Sequence, residues 1–103
     1  MSEELKREIY FWKAESFFSL EEYDHAALFY LKSAQAVTDA GNDLWAQSAR
    51  FKAGKALMLA KIYDDAENIY TELLSITDSE TRKALINQNL QKIHLLKSTI
   101  EKK

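Results

Sequence analysis

The chain has 103 residues, enough for one compact domain, and sets 14 Lys and Arg against 16 Asp and Glu. The resulting net charge of −2 supplies no basic field to hold nucleic acid, and the absence of cysteine excludes disulfides, thiolate metal sites and cysteine nucleophiles. Hydrophobic residues make up 47% of the sequence, but Lys, Glu and Asp break their runs too often for any run to span a bilayer.

Proline is absent and glycine occurs twice, so few hard stops interrupt the chain and long helices are expected. Ser2 caps a first helix, with Glu3 and Glu4 at its positive dipole end, and this helix runs to about residue 19. A second helix runs from about 22 to 40. The segment from Asp39 to Asp43 is the clearest break: Gly41 suits a left-handed helix end, and Asn42 or Asp43 caps the next helix. The third and fourth helices cover about 44 to 61 and 64 to 76. Thr77 and Glu80 have capping-box spacing, which starts a fifth helix at about 79. Leu85, Ile86, Leu90, Ile93, Leu96 and Ile100 draw an apolar stripe along it. Strand signals are weak, since no stretch alternates with a period of two. The start, Met1-Ser2-Glu3-Glu4, is acidic and polar, unlike a secretory leader, and a cytoplasmic setting is expected.

One pattern occurs twice, forty residues apart. Tyr23-Asp24-His25-Ala26 leads to Tyr30, and Tyr63-Asp64-Asp65-Ala66 leads to Tyr70. Upstream, Phe11, Ala14 and Phe17 align with Phe51, Gly54 and Leu57. Small residues at Ala14, Gly54, Ala26 and Ala66 allow backbones to approach closely, and the larger side chains fill the space between them. A self-similar period of this length marks a stacked helical array.

These units resemble the tetratricopeptide repeat family, which sets a bulky–small–bulky series on its first helix and an alanine, an aromatic and a small residue on its second. Tyr10, Ala14, Phe17, Ala26, Tyr30 and Ser33 match in the first unit, and Gly54, Leu57, Ala66 and Tyr70 in the second. Arg50 and Leu73 depart from the pattern. The period of forty is longer than usual and resembles the vesicle-fusion attachment-protein (SNAP) type. The resemblance implies an all-α superhelix forming a single domain over 1–103: one repeat over about 3–40, a second over about 43–77, and a capping helix over about 79–101.

The apolar arc of the first helix is too wide for one neighbour. By the resemblance, one flank faces a concave groove carrying Phe11, Trp12, Glu15, Phe18, Phe51, Lys52, Lys55 and Met58. Such a groove binds a peptide or helix through aromatic anchors, with Lys52 and Lys55 meeting an acidic group. The family's clamp for a terminal carboxylate needs Lys and Asn at groove positions, where this chain has Phe11 and Glu15. Alternatively, the closing helix covers these residues, or Trp12 meets a second copy.

No enzyme is expected. His25 and His94 lack partners at metal spacing, no glycine-rich phosphate loop is present, and the acidic pairs at Asp64-Asp65 and Glu21-Glu22 sit where helix dipoles favour them. The expected function is a protein-binding adaptor or scaffold with no cofactor or metal. The rivals are a self-associating homodimeric module, a single-stranded RNA binder disfavoured by the acidic balance, and a small-ligand sensor on the same fold.

Overall fold

The structure, a computed structural model, describes residues 2–36 and 43–101. Five helices succeed one another: α1 (Glu3–Ser19), α2 (Tyr23–Gln35), α3 (Leu44–Leu59), α4 (Tyr63–Ile76) and α5 (Glu80–Glu101). There is no strand among the described residues. The expected break from Asp39 to Asn42, with Gly41 in it, and the last part of the second helix lie outside the described residues.

Caps set the boundaries. The Ser2 hydroxyl accepts from the Leu5 amide at 3.1 Å, and the Asp43 carboxylate accepts from the Ala46 amide at 2.8 Å, as expected for N-caps. The fifth helix is capped two residues later than Thr77 suggests. Ser79 accepts from the Arg82 amide, while Thr77 is buried at the end of α4.

Both hairpin turns are built alike. Glu21 and Lys61, forty residues apart, adopt left-handed backbone with φ of 62° and 66°. Around them the Glu22 and Glu21 amides reach the Phe17 and Phe18 carbonyls, and the Ile62 and Lys61 amides reach those of Leu57 and Met58. This is a Schellman closure, and it reverses the chain within three residues. Each helix then packs on the next in sequence, and α3 also touches α5. Side chains join α1 to α3 as well, so the odd-numbered helices form one layer. At 18 Å the molecule is about two helices thick.

The core keeps the period of the repeat. Ala14, Ala26, Tyr30, Ala53, Gly54, Ala66, Tyr70 and Leu73 are buried, and Ile86 and Ile93 of α5 close its far end. Gly54 is required by contact rather than by backbone conformation. A Cβ built on it would stand 2.8 Å from Cζ of the Tyr70 ring, which is itself fully buried.

These contacts can be tested by substitution. Gly54→Val should cost about 1–3 kcal/mol through overpacking, visible as a lower urea midpoint at unchanged slope. Glu21→Gly and Lys61→Gly should each raise stability by roughly 0.5–1 kcal/mol in the same measurement, because glycine relieves the left-handed strain that Cβ imposes.

Candidate binding surface

Four residues named from sequence meet directly. Lys52 Nζ pairs with Glu15 Oε1 at 2.7 Å and sits 5.3 Å from the centre of the Phe11 ring, and Phe11 meets Trp12 edge-on at 5.6 Å. Trp12 is 63% exposed, so its indole is offered to solvent beside this cluster. Phe51 stands edge-on to the buried Tyr70 ring at 5.4 Å, and Lys55 is exposed. Phe18 packs edge-on against Tyr23 at 5.1 Å and joins the main core. Met58 is only 5% exposed and belongs to that core, so its thioether offers little to a ligand.

Glu15 and Lys52 act first as a cross-brace. Burial and the neighbouring Glu15 carboxylate, which accepts its hydrogen bond, push the Tyr30 hydroxyl above its ordinary pKa. Glu15 thereby joins α1 to Lys52 of α3 while its charge acts on Tyr30 of α2. The equivalent of Glu15 in the second repeat is Lys55, and there the Tyr70 hydroxyl instead faces the Phe51 carbonyl at 3.5 Å. Burial raises the Tyr70 pKa as well.

A second group, not expected from sequence, locks α1, α2 and α3 together around Trp45. Its Nε1–H donates to Ser33 Oγ at 2.9 Å, and the fully buried Ser33 hydroxyl donates to the Arg7 carbonyl at 2.7 Å. The Trp45 ring lies 5.1 Å from Phe11, with the Arg7 guanidinium 5.1 Å from the indole centre. Arg7 in turn pairs with Asp43 at 2.7 Å, the same carboxylate that caps α3. Burial alone would raise the Asp43 pKa. The Ala46 amide, the Arg7 hydrogen bond and the charges of Arg7 and Arg50 outweigh it and hold the carboxyl below its ordinary value.

Further along the same layer lies an apolar cleft of about 230 Å³ between α3 and α5. Phe51, Leu73 and Ile86 form its walls, and Leu85, 45% exposed, stands at its mouth. Lys52 and Arg82 line it from the polar side, and Arg82 Nη1 reaches the Gln47 side-chain oxygen at 3.5 Å. The sequence held one signal for it: forty residues after Ser33 and Trp45 stand Leu73 and Leu85.

His25 stacks on Phe17 near Asp24, and His94 approaches Glu67 at 3.6 Å, both largely exposed. Among the described residues no three His, Asp or Glu side chains are grouped to hold a metal ion, and no helix is long and apolar enough to cross a membrane.

Compared with protein-family models, curated proteins and solved structures, the chain matches none. Asp43→Asn keeps a capping side chain but removes the ion pair. A carboxyl with a depressed folded pKa stabilises the fold above its unfolded value, about 3.9, and loses that contribution as pH falls through the folded value. The variant should therefore be less stable than the parent at pH 7 in chemical denaturation, with the gap closing below about pH 4.

Proposed function

We propose that this chain is a non-enzymatic adaptor, a tetratricopeptide-like helical module that binds a peptide or helix of a partner protein in the cytoplasm. The observation that carries this reading is the exposed Trp12 indole. It stands against Phe11, which Lys52 covers, on the same helical layer as the apolar α3–α5 cleft. Large aromatic side chains left in water beside an apolar cleft are the anchors on which protein interfaces concentrate their energy. The surface is fixed from behind by Glu15, Tyr30 and Trp45, so little ordering remains to be done when a partner arrives.

Homodimerisation through the same indole is the second reading, and the 63% exposure of Trp12 is what favours it. Sedimentation separates the two: a monomer at high concentration removes the dimer.

Peptides selected from a displayed random library should bind the parent protein, and Trp12→Ala should weaken them about tenfold or more without changing the melting temperature appreciably. Equal binding by parent and variant, measured by calorimetry, would remove this surface from consideration.

A further inference from the structure

The repeat of forty residues relates the two interfaces of the helical layer, and they are filled differently. At the first, the Trp45 indole packs on Phe11, bonds to Ser33 and lies under Arg7. Forty residues on, those three partners become Phe51, Leu73 and Gln47, and all three line the α3–α5 cleft. The place of Trp45 itself is taken by Leu85, at the mouth of the cleft. The register is held by the core as well, since Ala46 and Ala53 are buried on α3, and Ile86 and Ile93 at the equivalent positions of α5. The cleft therefore stands where Trp45 fills the first interface, and α5 puts only Leu85 there.

We propose that the α3–α5 cleft receives an aromatic side chain, an indole by preference, from a partner peptide carrying a carboxylate beside it. This rests on the peptide-adaptor reading and specifies its ligand. At about 230 Å³ the cleft falls below the roughly 300–1,000 Å³ of small-molecule sites, which suits one side chain rather than a cofactor. Where Ser33 accepts from Trp45, Leu73 presents only hydrocarbon, so the incoming ring is held by packing on Phe51 and Ile86. Among the described residues no carboxylate lines the cleft; Lys52 there is already paired with Glu15, but Arg82 meets only the Gln47 side-chain oxygen at 3.5 Å, and its charge selects an acidic neighbour for the ring.

The test is methyl NMR on the full chain with three probes: N-acetyl-tryptophan, its uncharged amide, and N-acetyl-leucine. N-acetyl-tryptophan should shift the methyls of Leu73, Leu85 and Ile86 saturably, the amide should bind about three- to tenfold more weakly, and N-acetyl-leucine should leave them unmoved. Leu85→Trp supplies the missing indole from within. It should abolish these shifts and raise the melting temperature. Arg82→Glu, a change at the polar side, should weaken N-acetyl-tryptophan and spare the amide, and it keeps the test decisive if Leu85→Trp does not fold. No saturable shifts, or shifts that survive in folded Leu85→Trp, overturn the proposal. So does a dimer that disperses on Trp12→Ala and whose formation alone moves the cleft methyls. A selected peptide that binds Leu85→Trp as well as the parent, yet is lost in Trp12→Ala, overturns the cleft and leaves the adaptor reading standing. Failure of the library to yield any peptide, with the indole shifts intact, overturns the adaptor reading instead.

Discussion

The close contact of Tyr70 with Gly54 sets the geometry on which the second repeat depends. The ring lies where a Cβ would be, so α3 and α4 approach to a distance that no other residue at position 54 permits without movement. In the first repeat Ala14 keeps its methyl, and the Glu15 carboxylate acts on the Tyr30 hydroxyl and raises its pKa. The same rod-on-rod packing thus has two solutions, one with the tyrosine ring against a glycine, one with an alanine methyl kept and a carboxylate near the tyrosine hydroxyl. Close-packed interiors respond to differences of a single methyl group, and here that difference falls at matched positions of the two repeats.

The second solution carries a consequence for the surface. Glu15 pairs with Lys52 at 2.7 Å, and Lys52 thereby lies against α1, over the Phe11 ring. At the matched position of α3 a lysine, Lys55, faces water. The two hairpins are alike in their turns, their closing hydrogen bonds and their buried alanines, and they differ in the charge each presents to the shared layer.

Much of this fold can be read from the residues. The five helices, the Ser2 and Asp43 caps and the turn after Ser19 arise from local chemistry that the sequence states openly. The fifth helix begins at Glu80, so Ser79 rather than Thr77 is the hydroxyl in capping position and accepts the Arg82 amide. The binding surface is less legible. A helical wheel places Met58 beside Phe51 and Lys55, but it cannot tell a wide apolar arc that faces a ligand from one that faces a third helix, and Met58 is buried. Ser33 and Trp45 stand twelve positions apart, on different helices, and their hydrogen bond depends on how the chain between them returns. No periodicity encodes it.

The charge along the layer is paired at one end and open at the other. At the α1 end Lys52 is neutralised by Glu15, and Arg7 by Asp43, so an acidic ligand there would have to displace an existing carboxylate at 2.7 Å. Charge-assisted pairs of that geometry are not exchanged without a net loss unless the newcomer binds equally well. Towards α5, Arg82 meets a neutral amide oxygen at 3.5 Å, a longer and weaker contact that a carboxylate replaces favourably. The apolar cleft opens on that same side. The aromatic and acidic segment proposed above would meet both its requirements between α3 and α5, while the Trp12 end offers contact area with its charges already paired. On the proposed reading, that division gives specificity to one end of the layer and affinity to the whole of it.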